Sequence, residues 1–152
     1  MRVHPRPSSL LATWLLIAAV GACRPADVPP LLVDVIGSDY AFTVRDTVNA
    51  GPSLVSFASR GAVRHEMVLG RIREETPTAE FVDSLMRGHS VRKLRVTGTA
   101  VLFAAPGQAG NPVRLSVTFQ RGQRYALWCQ FRDSATAPKH HALGMFKILT
   151  VK

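Results

Sequence analysis

Side chains that can bind a metal occur at two places in the chain. His65 lies in an apolar run, and a second stretch near the C-terminus begins at Cys129 and contains His140, His141 and Met145. A thiol, imidazoles and a thioether are soft donors, which disfavour hard ions such as magnesium and calcium. The spacing indicates either a metal centre built from two distant segments or a set of ordinary core residues.

The arrangement resembles the blue-copper cupredoxins, in which an early strand supplies one histidine and the loop between the last two strands supplies a cysteine, a histidine and a methionine. In plastocyanin-like members the second histidine lies five residues before the methionine, which follows a glycine, as His140 and Gly144-Met145 do here. A thiolate and two imidazoles suit both Cu(I) and Cu(II), and a weak axial thioether tunes the potential. The resemblance implies one copper ion with four ligands: His65, Cys129, His140 and Met145.

The chain departs from the plastocyanin pattern in two ways. Ten residues separate Cys129 from His140, so the ligand loop is longer, and its charged residues Arg132, Asp133 and Lys139 could narrow the choice of partner. Glu66 stands where many cupredoxins have an asparagine that ties the ligand loops together. A carboxylate there could accept backbone N–H bonds in the same role, or it could approach the metal and alter its colour and potential.

Ordinary structural interpretations stay open for the same residues. His65 could be a hydrogen-bonded core histidine, and Met145 could be a core residue, as we predict for Met67. His140 and His141 compete for one position. We expect one of them to face solvent, because adjacent residues usually point in different directions. The spacing to Met145 favours His140, with His141 as the alternative.

Most of the chain has the patterns of short strands separated by Gly, Pro and Asn turns, which favours an antiparallel sandwich or barrel. With the resemblance, the predicted fold class is all-β: a cupredoxin-like Greek-key β-sandwich or barrel with one short inserted helix. The predicted strands are Leu31–Ile36, Tyr40–Val44, Ser53–Ser59, Val63–Leu69, Val113–Phe119, Arg124–Phe131 and Met145–Val151.

The inserted helix is predicted over residues 77–87. Thr76 has the side chain of an N-cap and Pro77 suits the first turn. Apolar residues then recur at helical spacing from Phe81 to Met86, and Gly88 ends the pattern.

The N-terminus is typical of an export signal. Two arginines precede the 11-residue apolar run Leu10–Val20, which is short for a transmembrane helix. The run ends in Val20-Gly21-Ala22-Cys23, which resembles the lipobox of bacterial lipoproteins and implies lipidation of Cys23; an ordinary secretory peptide is the alternative. We therefore predict a lipoprotein signal peptide at 1–22, a tether at 23–30 and a copper-binding domain at 31–152, held at the cell envelope or in the periplasm.

Lipidation of Cys23 would leave Cys129 without a partner, because the chain has two cysteines. A lone thiol in an oxidising compartment is a liability. Cys129 is therefore a buried inert residue, a nucleophile or a metal ligand.

The charge of the chain constrains its partners. Residues 1–22 hold two of the 19 Lys and Arg and none of the ten Asp and Glu, so the remainder carries a formal charge of +7. Such a charge favours anionic neighbours, such as phospholipid head groups or an acidic redox partner. We expect no nucleic-acid binding, because the arginines are scattered and not interleaved with aromatic residues on one element. We expect a monomer anchored to a membrane through Cys23.

Three functions fit these observations. The first is one-electron transfer, in which an exposed imidazole passes the electron to a docked protein and no substrate is transformed, so the chain is not an enzyme. The second is storage or delivery of copper by the same ligands. The third is a non-metal binding module that uses its basic face.

Overall fold

The computed structural model describes residues 28–110 and 112–152. The predicted signal peptide at 1–22 and the start of the 23–30 tether, including Cys23, lie outside the described residues. Of the helices in the described part of the chain, none has the length and apolar character needed to cross a membrane.

The described residues form nine strands, one α-helix and one 3₁₀ helix, which we name the 3₁₀ turn. In chain order these are β1 (Leu31–Ser38), β2 (Ala41–Thr43), β3 (Thr47–Val48), β4 (Gly51–Ser59), β5 (His65–Arg71), α1 (Thr78–Met86), β6 (Ala100–Ala104), β7 (Leu115–Phe119), β8 (Arg124–Trp128), the 3₁₀ turn (His140–Leu143) and β9 (Phe146–Val151).

The strands form two sheets. The first sheet has the order β2-β1-β4-β7 and the second has the order β3-β9-β8-β5-β6. The predicted all-β class with one short helix is confirmed. The expectation of purely antiparallel pairing is wrong, because β1 runs parallel to β4 and β3 runs parallel to β9. Alternation and turn residues indicate where a strand lies but carry no information about the direction of its neighbour.

Several element boundaries differ from the sequence prediction. The short strand β3 and the strand β6 were not predicted. The helix is present, but its N-cap is Pro77 and no side chain in the described part of the chain caps it, so the assignment of Thr76 as the N-cap is wrong. Thr76 is buried, and its N–H donates to the carbonyl of Arg73, which closes the turn before the helix. At the other end Gly88 adopts a positive φ of 71°, as expected after a helix C-terminus.

The second sheet is buried on both faces. Its inner face packs on the first sheet and forms the inter-sheet core, which includes Val35, Phe57, Met67, Leu127, Cys129 and Met145. Its outer face is covered by α1 and the segment after it, and forms the helix-covered core, which contains Val68, Ile72, Phe81, Leu85, Val91, Ala126 and Trp128. For this reason six consecutive residues of β5 are buried, and the strand lacks the alternation of a one-sided sheet.

Candidate metal centre

Three of the four predicted site residues lie where strands of the second sheet begin or end, and the fourth lies in the 3₁₀ turn. His65 is the first residue of β5, Cys129 directly follows β8, and Met145 directly precedes β9. His140 begins the 3₁₀ turn between β8 and β9. Because β5 and β8 are antiparallel neighbours, the start of one strand meets the end of the other. Rigid strands thus bring the two distant segments to one end of the sandwich.

His65, Cys129 and His140 form a compact buried group. One nitrogen from each histidine and the sulfur of Cys129 all lie within 4.8 Å of one another. His140 Nδ1 is 3.5 Å from Cys129 Sγ, and the two imidazole rings stand edge to face with centroids 5.2 Å apart. The three side chains are 0%, 0% and 1% exposed, so bulk water has no access to the group.

The buried thiol of Cys129 holds its proton. Burial raises its pKa to about 11, although the backbone N–H of Glu66 donates to the sulfur over 3.4 Å and partly offsets that effect. A metal cation would displace the proton, since the thiolate is the form that binds metals.

Among the described residues, the buried imidazole of His65 has no hydrogen-bond partner. Within the described part of the chain, neither of its nitrogens has a partner with hydrogen-bond geometry, and Nε2 lies 3.5 Å from Oδ1 of Asp39. Burial lowers the pKa of His65, so the ring is neutral at pH 7. An unsatisfied buried polar group costs about 1–3 kcal/mol, and a bound metal would satisfy one nitrogen. The set of one thiolate and two imidazoles fits one copper ion.

Two auracyanins are among the solved structures with a similar fold. The dithionite-reduced auracyanin from the photosynthetic bacterium Roseiflexus castenholzii aligns with a TM-score of 0.51 at 18% identity, over 80% of this chain and 96% of that one. Auracyanin A, a "blue" copper protein from the green thermophilic bacterium Chloroflexus aurantiacus, aligns with a TM-score of 0.50 at 18% identity, over 82% of this chain and all of that one. No protein-family model and no curated protein matches the chain.

The chain has a cupredoxin fold. At 18% identity the likeness establishes the fold, and the ligands rest on the geometry of this cupredoxin domain alone.

Met145 lies beside the group. Its side chain is fully buried, its N–H donates to the carbonyl of His140, and its carbonyl accepts from the N–H of Cys129. A Cβ on Gly37 would come within 3.3 Å of the Met145 methyl group, so the glycine lets β1 approach this side chain. Its role as an axial ligand stays a prediction.

His141 points away from the group. It is 2% exposed, and its Nδ1 donates to the carbonyl of Leu85 at the end of α1, over 2.7 Å. The expectation that one of the two adjacent histidines faces solvent is therefore wrong, because the helix covers the second one. The cluster that could hold a metal contains His140 and not His141.

Glu66 ties the ligand loop to β5. Its Oε1 accepts the backbone N–H of Gln130 over 2.9 Å, and its own N–H donates to Cys129 Sγ. This is the first of the two roles considered for a carboxylate at this position. Glu66 is absent from the group of side chains close enough to share a metal within the described residues.

Sequence reasoning missed two residues that contact the candidate ligands, and it noted a third in another role. Asp133 accepts a hydrogen bond from Nε2 of His140 at 2.9 Å, and Tyr40 donates to the same carboxylate at 2.6 Å. Asp39 lies beside His65. Asp133 was noted as a loop charge that could affect partner choice. Its place in the ligand loop was a usable signal, because histidine ligands commonly donate their second N–H to a carboxylate.

Proposed function

We propose that the chain is a copper-binding electron-transfer protein, exported and lipid-anchored, in which His65, Cys129 and His140 hold one copper ion and Met145 is the weak axial ligand. The observation that carries the proposal is the buried group of one thiol and two imidazoles, one of which has no hydrogen-bond partner among the described residues. A copper ion there would supply one-electron cycling between Cu(I) and Cu(II).

The protein's own contribution is rigidity and the exclusion of water. The ligands lie at strand ends and in a short turn whose backbone is bonded to the segment after β8: the N–H of His140 donates to the Phe131 carbonyl and the N–H of His141 to the Cys129 carbonyl. A site that holds its geometry in both oxidation states exchanges electrons with little rearrangement. No substrate pocket is needed for this role, and no substrate is transformed.

Copper storage or delivery is the alternative use of the same ligands. Delivery requires a metal that an acceptor can reach, and the candidate ligands here are no more than 1% exposed. Burial favours electron transfer. We expect copper to exchange slowly with a chelator, and rapid transfer to one would favour delivery.

The first experiment is a visible absorption spectrum of the full chain in detergent, titrated with Cu(II). We expect an intense thiolate-to-copper charge-transfer band. The band is absent in Cys129→Ser and retained in Cys23→Ser, which is the matched control for the other sulfur. A spectrum with no such band in the unaltered chain would refute the proposal, and a band lost only in Cys23→Ser would place the copper elsewhere.

The anchor at Cys23 rests on the lipobox resemblance. Cys23→Ser is expected to abolish incorporation of a labelled fatty acid and to release the protein from the membrane fraction of the cell envelope. Unchanged membrane association without label would contradict the anchor but leave the copper site intact.

We propose an acidic redox protein as the partner of this monomer. Arg64 and Arg132 flank the half-buried Phe131 in a surface pocket of about 390 Å³ that also includes Asp133, whose carboxylate contacts His140. Cationic groups beside an apolar ring suit a negatively charged docking face. Electron-transfer rates with an acidic acceptor should then fall with rising salt, and salt-independent rates would contradict this choice.

A further inference from the structure

Each histidine of the candidate copper site has a carboxylate at its outward nitrogen. His140 Nε2 lies 2.9 Å from Oδ1 of Asp133, while its Nδ1 faces Cys129 Sγ. His65 Nε2 lies 3.5 Å from Oδ1 of Asp39. The same nitrogen of each ring therefore faces an acid, which leaves Nδ1 of each ring for the metal.

One turn of the chain, formed by Asp39 and Tyr40, contacts both histidines. Asp39 and Tyr40 follow β1, and Tyr40 adopts a positive φ of 61°, which is uncommon for a residue with a side chain. Tyr40 donates its hydroxyl to Oδ2 of Asp133 at 2.6 Å, and its ring packs edge to face on His140 with centroids 5.2 Å apart. Asp39 contacts His65 directly. A strained turn that reaches both rings is a sign of a functional constraint.

Asp39 is fixed from a second side. Its Oδ1 accepts the backbone N–H of Ala62 over 2.9 Å. A Cβ on Gly61 would lie 2.3 Å from this oxygen and 2.7 Å from Nε2 of His65, so the contact requires a glycine at that position. A side chain at position 61 would collide with both the carboxylate and the imidazole.

We propose that Asp133, which accepts the Nε2–H of His140, and Asp39, whose charge lies beside His65, are positioning residues that lower the reduction potential of the copper. The inference rests on the proposed function. A carboxylate that accepts the second N–H makes an imidazole a stronger donor. Its negative charge also stabilises a divalent ion more than a monovalent one. Reduction would add one electron from the redox partner to Cu(II) and yield Cu(I).

Asp133 and Asp39 should change the reduction potential by different amounts. Asp133 makes a hydrogen bond at 2.9 Å with His140, whereas Asp39 is 3.5 Å from His65 without hydrogen-bond geometry. Their side chains are 36% and 48% exposed, so solvent screens part of both charges. The larger effect is therefore expected from Asp133.

The test measures the reduction potential of the full copper-loaded chain by titrating its charge-transfer band, together with Cu(I) affinity by chelator competition. Asp133→Asn should weaken Cu(II) binding roughly tenfold while Cu(I) binding changes little, which raises the potential by about 59 mV. Asp39→Asn should raise it by less. Asp46→Asn is the matched control: it removes an exposed carboxylate whose ion-pair partner is Lys147 and not a histidine of the site, and it should leave the potential unchanged.

Gly61→Ala tests the position of Asp39 without removing its charge. It keeps every carboxylate but displaces Asp39 from His65, so it should shift the potential in the same direction as Asp39→Asn. Unchanged potentials in Asp133→Asn and Asp39→Asn, or an equal shift in Asp46→Asn, would overturn the inference while an intact band preserves the proposed function. An unaltered chain with no copper band overturns both.

Discussion

The two histidines of the 3₁₀ turn belong to different regions of the molecule. His140 faces the inter-sheet core, where its ring nitrogens meet Cys129 and Asp133. His141 faces the helix-covered core, where its Nδ1 donates to the Leu85 carbonyl. Both side chains are at most 2% exposed, so burial does not separate a metal ligand from a structural residue. The partners of the ring nitrogens separate them.

The same division runs through β8 and the residue after it. Leu127 and Cys129 lie in the inter-sheet core, and Ala126 and Trp128 lie in the helix-covered core. The second core uses ordinary apolar packing, with the Phe81 ring 6.2 Å from that of Trp128 and edge to face with it. One side of the sheet thus holds the metal group, and the other holds the sheet and the turn in place.

Loss of the Phe81 ring should produce the largest effect on stability. Phe81 is fully buried, so Phe81→Ala should cost about 3–5 kcal/mol in the free energy of unfolding, measured by denaturant titration. Met86→Ala on the same helix is the control, because Met86 is 49% exposed, and it should change stability by about 0.5 kcal/mol or less. The protein that remains folded should keep its copper band. Loss of the band in folded Phe81→Ala would show that the two regions are not separable.

Substitution of each turn histidine should have opposite consequences. His140→Ala should weaken copper binding by about 100-fold, equivalent to about 2.7 kcal/mol. His141→Ala should leave copper affinity within about threefold but destabilise the fold by about 1–3 kcal/mol, because the Leu85 carbonyl loses its donor. Chelator competition and denaturant unfolding measure the two quantities on the same samples. Copper loss in His141→Ala at full stability would reverse the assignment.

Much of this arrangement was predictable from the sequence, for identifiable reasons. The strands containing His65 and the segment before Cys129 follow from residue type and turn signals, and Phe81 and Leu85 fall on the buried face of the predicted helix. The parallel pairing of β1 with β4 was not predictable, because it depends on which distant strands meet. The burial of His141 depends on where α1 docks, and that contact spans 56 residues of sequence.

The carboxylates around the site also show that contacts between distant segments cannot be predicted from local sequence. Glu66 stood next to a candidate ligand in sequence, so a bridging role for its carboxylate could be considered from the sequence alone. In the sequence, Asp39 lies between two predicted strands, and its approach to His65 depends on Gly61, which sequence patterns do not connect to it. Local signals thus predict the elements, while the contacts that surround the metal group come from elements distant in sequence.

The smallest expected effect is the pH dependence of stability in the metal-free protein. Burial lowers the pKa of both His65 and His141, so each is neutral when folded and takes up a proton on unfolding below about pH 6.5. The unfolded state then binds more protons, and stability falls as the pH falls from about 6.5 through the folded values, by at most about 1.4 kcal/mol per pH unit for each histidine. Denaturant unfolding from pH 8 to pH 5 measures this slope. His65→Gln, beside the inter-sheet core, and His141→Gln, in the helix-covered core, should each reduce the slope of stability against pH. An unchanged slope in the double variant would show that other groups cause the pH dependence.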